Sequence, residues 1–261
     1  MPGDYKISQS LTSANLLQRP FLCHSDGALE LPDLGYLNAQ AIARQIKTGG
    51  GLPLRFATPN GDADYEQRAF ETGVVATRAD NWHDAFNALV WLNFPLSKAA
   101  LNAAHLSSRK TNSNERGQRG RARDVLTQFD ECGVIFASTN PALWLALRAH
   151  QWSEVFVTRR AELLATTRFI VFGHGSLDAL RAPFVGLCGK AIFVTVHGDS
   201  LDEIDVNNFF ALDNALARRV TSTNWQTEAV QPLPLLGIPG ATIENQNATY
   251  YQNSLQFRPP R

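Results

Sequence analysis

Apolar residues recur at helical spacing through Tyr36–Lys47, where Leu37, Ile42 and Ile46 are apolar and Gly49-Gly50-Gly51 supplies a stop. A short strand is expected at Leu52–Phe56. Asn81–Leu92 and Pro95–His105 read as two consecutive helices, because proline suits a first helical turn. Val125–Phe129 and Val134–Ala137 are apolar and partly β-branched, with Asp130-Glu131-Cys132-Gly133 between them as turn chemistry, so the pattern predicts a β-hairpin. Pro141–His150 then reads as a helix, Trp152–Leu180 as helical or mixed, Ala191–Val196 as a strand and Asn207–Val220 as a helix. From Pro232 to Arg261 five prolines and little periodicity predict an extended tail over the surface. The sum is one α+β domain over residues 1–261, mostly helical, with a small β-sheet that includes a hairpin near 125–137.

Composition narrows the function classes. Hydrophobic residues at 44% and charged residues at 18% exclude disorder over most of the 261 residues. A formal charge of +0 gives no global field toward nucleic acid or an anionic membrane, so any such attraction is local. The local candidate is Ser107–Arg123, where Arg109, Lys110, Arg116, Arg119, Arg121 and Arg123 face one acid, Glu115, amid Ser, Asn and Gly; it reads as a mobile basic loop. Cys23, Cys132 and Cys188 are odd in number, far apart and without C-x-x-C spacing, which fits a reducing compartment. Met1–Leu22 lacks the basic-then-apolar order of a signal peptide, and runs such as Ala88–Leu92 are far short of the ~20 residues that cross a bilayer. A cytoplasmic protein with no membrane partner is expected.

Chemistry concentrates in Asp80–Asn93. Asp80, His83, Asp84, Asn87 and Trp91 fall on one face at helical spacing, while Phe86, Leu89, Val90 and Leu92 occupy the remainder. An ordinary wet face carries Lys and Glu; this one carries groups suited to metal ligation or proton transfer. The next helix repeats the pattern with Lys98, Asn102 and His105, and a folded-back pair would bring both stripes to one pocket. The structural account competes: Asn81 can cap the helix with Asp84 answering as in a capping box, and His83 and Asn87 can be satisfied core residues. His174 sits between Gly173 and Gly175, where small neighbours allow close approach. Asp130 and Glu131 form a carboxylate pair, but the expected hairpin turn accounts for them. Lys47-Thr48-Gly49-Gly50-Gly51 is no phosphate loop, since its glycines follow the lysine and precede a proline.

Taken in order, Asp80–Pro95, Lys98–Asn102 with His105, Arg121–Glu131, Phe172-Gly173-His174, Leu236–Gly240 and Phe257–Pro259 resemble the uncharacterised bacterial family known as domain of unknown function 3025. The resemblance spans most of the chain and names no reaction. It implies a single-domain bacterial protein with His83, Asp84, Asn87, Lys98, His105, Arg121, Arg123, Asp124, Asp130 and His174 among the motif positions.

Two function classes follow. The first is a hydrolase in which His83, Asp84, His105 and His174 perform acid/base work, with a divalent metal as an optional cofactor and His83, Asp84 and His105 as its candidate ligands. Asn87, Lys98, Arg121, Arg123 and Asp124 would then contact a phosphorylated or other anionic small molecule. The second is a non-catalytic module that holds phosphate-bearing ligands or nucleic acid on the 107–123 basic loop, nucleic acid being the less favoured partner. The sequence assigns no substrate and no oligomeric state.

Overall fold

The computed structural model describes residues 31–61, 64–108, 116–197, 201 and 209–259, with residues 116–119 described by their backbone alone. The described chain opens with helix α1 (Leu34–Ala43), strand β1 (Arg55–Ala57), helix α2 (Tyr65–Thr72) and strand β2 (Val74–Ala76). β1 and β2 pair in parallel, from Arg55 with Val74 to Ala57 with Ala76. α1 stops at Ala43, short of the expected Lys47, because Gln45 takes a positive φ of 52° and the glycine run is used elsewhere: Gly51 N–H bonds the Thr48 carbonyl at 2.9 Å to close a separate turn.

Helices α3 (Trp82–Asn93) and α4 (Pro95–Ser107) follow, close to their expected bounds. Asn81 caps α3 by accepting the Asp84 N–H at 3.0 Å. α4 begins on Pro95, and its next two N–H groups, from Leu96 and Ser97, find the Asp213 carboxylate at 2.9 and 2.8 Å. α3 is packed on both sides. Phe86, Leu89 and Val90 belong to the main core, whereas Ala88, Trp91 and Leu92 belong to a second cluster with Leu37, Ala41, Ile46, Phe56 and Val75. That double burial explains why so apolar a helix carries no lysine-rich face.

The expected loop over 107–123 and hairpin near 125–137 are both corrected by helix α5 (Arg116–Cys132). Residues 109–115 of the expected loop lie outside the described residues. Ala122, Val125, Leu126 and Phe129 recur at i, i+3, i+4 and i+7 and pack into the main core, a helical period that overrides the β-branched appearance of the short run 125–129. Only the second half of the expected hairpin is a strand.

That strand is β3 (Gly133–Ser138), buried at every residue, and after it come α6 (Pro141–Arg148), α7 (Arg160–Thr166), β4 (Thr167–Val171), α8 (His174–Ala179), β5 (Cys188–Thr195), α9 (Phe210–Ser222) and β6 (Gln231–Pro234). The larger sheet has the order β4-β3-β5-β6, with β3 and β5 parallel at its centre and antiparallel strands at both edges. The architecture is an α+β, mostly helical single domain with small sheets.

The expected surface tail is also corrected. β6 pairs with β5, and Leu233, Leu235, Leu236, Ile238, Tyr251 and Phe257 are buried in the main core. Pro232 and Pro234 are tolerated because β6 is an edge strand, where a missing ladder donor is least costly. Buried Asn245 replaces regular pairing further on by donating to the carbonyls of Leu236 and Ile238 at 2.9 and 2.6 Å. Among the described residues no helix is long and apolar enough to cross a membrane.

Candidate functional site

One cleft of about 730 Å³ gathers side chains from five helices. Tyr65 and Glu66 come from the first turn of α2, His83, Asp84 and Asn87 from the start of α3, and His105 from the end of α4. Arg123, Thr127, Asp130 and Glu131 come from α5 at i, i+4, i+7 and i+8, one helical face. His174 is the first residue of α8. It is brought in because the Phe172 and Gly173 N–H groups both bond the Gly133 carbonyl, at 2.9 and 2.8 Å, pinning the β4–α8 turn onto the α5–β3 junction. Gly175 completes the approach: a Cβ there would lie 2.6 Å from Glu131 Oε2.

The floor of the cleft is a chain of paired charges. Lys98 Nζ lies 2.6 Å from Asp130 Oδ1 and 3.0 Å from Asn87 Oδ1, behind the cleft surface. Asp130 Oδ2 lies 3.9 Å from His174 Nδ1, and His174 Nε2 lies 3.4 Å from Glu131 Oε1. The other oxygen, Glu131 Oε2, faces His83 Nε2 at 3.8 Å. The two imidazoles meet edge to face with centroids 4.5 Å apart. His83, Glu131 and His174 each offer a ligand atom within 4.8 Å of the others, a set able to hold a metal ion. A second group borders it: His105 Nε2 lies 3.9 Å from Glu66 Oε1, while Glu66 Oε2 accepts from Asn102 at 2.6 Å. Tyr65 Oη takes hydrogen bonds from Asn87 and from Trp91 Nε1, at 2.8 and 3.2 Å.

These surroundings divide the carboxyl groups. His174 bonding holds the Glu131 carboxyl below the usual range against some burial. Burial works to raise Asp130, but the charges of Lys98 and His174 and the Lys98 hydrogen bond outweigh it and leave Asp130 low. Glu66 goes the other way: burial raises it, with the His105 charge only partly opposing. Burial also pushes the Tyr65 phenol up, so it stays protonated. The cleft thus sets carboxyl groups pushed in opposite directions side by side.

The candidate residues read from the sequence fare differently. His83, Asp84, Asn87, His105, Arg123 and His174 all line this cleft, so the two helical stripes do converge. Asp84 is turned to Arg78, whose Nε and Nη2 bond its two oxygens at 2.8 and 2.9 Å while the Arg78 N–H adds a third bond at 2.8 Å. Lys98 is buried against Asp130 rather than open to a ligand. Arg121 and Asp124 are exposed on α5 and do not line the cleft. Glu131 and Asp130, a carboxylate pair that the expected turn accounts for in the sequence, line the cleft, and so do Glu66 and Tyr65, which the sequence does not single out. For the first two the signal was present, since Arg123, Thr127, Asp130 and Glu131 share helical spacing, but the hairpin reading hid it.

A second cavity of about 690 Å³ beside α6 carries no comparable chemistry, because His150 Nδ1 and Trp152 Nε1 are both taken by the Arg258 carbonyl, at 3.2 and 2.7 Å.

No curated protein and no solved structure matches the chain. A family model described as "Protein of unknown function (DUF3025)" matches residues 54–261 and takes in every one of these cleft residues, and the chain therefore belongs to the DUF3025 family.

Proposed function

We propose that the chain is a hydrolase that cleaves a phosphorylated or other anionic small molecule in this cleft. The observation that carries the reading is the Glu131 carboxylate held between His83 and His174 at the mouth of a cleft with room for a small substrate. A water at Glu131 or His83 gives up a proton to that group while its oxygen attacks the phosphorus or acyl carbon. The ester bond breaks, and the leaving oxygen takes a proton from Glu66, which burial keeps protonated to higher pH than a free glutamate. Arg123 lines the cleft without an ion-pair partner among the described residues and supplies charge for the anion. Free thiols at Cys132 and Cys188 agree with a cytoplasmic location.

A screen of phosphomonoesters, phosphodiesters and carboxylic esters tests this. Wild-type protein is expected to hydrolyse at least one class. His174→Ala should lower kcat by about 10²–10⁴, and Arg123→Ala should chiefly raise KM for the most highly charged substrates. Saturable binding of inorganic phosphate with no turnover of any ester would instead leave the non-catalytic module as the reading.

A further inference from the structure

We propose that His83, Glu131 and His174 form a site for one divalent first-row transition cation of the zinc class. As the cofactor of a hydrolase the cation rests on the reading above, where it would take over from Glu131 and His83 the activation of the attacking water; as a binding site it stands on geometry. In a tetrahedral set with bonds of about 2.1 Å, ligand atoms lie about 3.4 Å apart. The His174 Nε2–Glu131 Oε1 distance is 3.4 Å, the His83 Nε2 distance to the other oxygen, Glu131 Oε2, is 3.8 Å, and one ligand atom from each of the three residues lies within 4.8 Å of the others, a spacing that small side-chain rotations bring to a single ion. Two imidazoles and one carboxylate suit zinc and its neighbours better than calcium or magnesium, which prefer oxygen alone. Three protein ligands leave a fourth position for water. It opens to the cleft, because His83 and Glu131 are 36% and 40% exposed while His174 is 6% exposed.

The second observation is the placement of His174. Its Nδ1 is buried, makes no hydrogen bond, and faces Asp130 Oδ2 at 3.9 Å. Its Nε2 faces Glu131. A cation at Nε2 uses both ends of the ring: Nε2 and Glu131 turn to the metal, and Nδ1–H is left to donate toward Asp130. Asp130 then orients the ring, and Lys98 holds Asp130. Neither Asp84 nor His105 competes for the role, since Arg78 occupies both Asp84 oxygens and His105 Nε2 is directed to Glu66.

The test is calorimetric titration of chelator-stripped full-length protein with Zn²⁺, and with Mg²⁺ for comparison. One saturable equivalent of Zn²⁺ is expected, with weaker Mg²⁺ binding. His83→Ala and Glu131→Gln should each weaken Zn²⁺ on the order of a hundredfold. Both positions are partly exposed, so both variants should fold, which a thermal melt checks. Asp84→Asn should leave Zn²⁺ affinity unchanged. The site is overturned if Zn²⁺ does not saturate the wild type, or if both ligand variants bind it as tightly. Ester hydrolysis by protein that binds no Zn²⁺ overturns the metal and leaves the hydrolase; stoichiometric Zn²⁺ in a protein that hydrolyses nothing overturns the hydrolase and leaves the metal.

Discussion

The Lys98 ammonium lies 2.6 Å from Asp130 Oδ1, and both side chains are less than a tenth exposed. Two charges removed from water stabilise the fold only while each keeps its partner, because the survivor of a broken pair has no solvent to turn to. Lys98→Met should therefore cost about 3–5 kcal/mol in urea unfolding. Adding Asp130→Asn to it should recover part of the loss, since the unpaired charge is then gone. A cost below about 1 kcal/mol would mean that water reaches Asp130.

Asp84 is clasped by Arg78 and stands next to the Asn81 cap, so Asp84→Ala should destabilise by about 1 kcal/mol. The contribution depends on pH. Burial alone would raise the Asp84 carboxyl, but the Arg78 side-chain and backbone hydrogen bonds outweigh it and hold it below its ordinary 3.8. The folded form thus binds the proton more weakly than the unfolded form. Stability from this pair is complete above the ordinary value and is lost as pH falls through the folded one. Thermal melts between pH 3 and pH 6 should show a shallower acid limb for Asp84→Asn than for the wild type; equal slopes would assign the limb to other carboxyl groups.

Gly175→Ala separates stability from function. The added methyl meets the end of the Glu131 side chain, which can swing away, and at 3.0 Å the Glu131 backbone carbonyl oxygen, which can give only slightly, against a helix-propensity gain of up to about 1 kcal/mol. The melting temperature should change little, and Zn²⁺ binding and ester hydrolysis should both fall. Retention of both at wild-type levels would show that Glu131 does not need its present position.

Asp213 joins α9 to the start of α4. It accepts from the N–H groups of Leu96 and Ser97 and, at 2.6 Å, from Ser97 Oγ. Asp213→Ala strands these donors in a buried place and should cost about 2 kcal/mol or more by denaturant unfolding, with Ser97→Ala costing less. The ordering of the two variants is the check: Ser97→Ala as the more damaging change would assign the effect to packing.

Much of this was legible in the chain and some was not, for identifiable reasons. Helices α3 and α4 announced themselves through caps and long apolar periods, and their polar stripes located two walls of the cleft. α5 did not, because Gly117, Gly120 and the surrounding arginines resemble loop composition and Val125–Phe129 is too short to distinguish strand from helix. With α5 misread, Asp130 and Glu131 looked like turn residues. Tyr65 and Glu66 were invisible for another reason: their partners lie in α3 and α4, and only the tertiary fold gives them a role. The tail failed because proline content says where regular pairing stops, not whether a segment is buried.

The double packing of α3 sets the limits of the folding unit. The family match begins at residue 54, yet Leu37, Ala41 and Ile46 close the cluster around Trp91 and Leu92, and the Arg44 guanidinium bonds the Leu92 carbonyl at 3.0 Å. A truncation to residues 54–261 would keep every cleft residue and still strip one side of the helix that carries His83. The exposed tryptophan face would invite self-association, so the sequence-defined boundary is a poor place to cut, and amide exchange should find the α3 backbone protected by a layer that the family match leaves out.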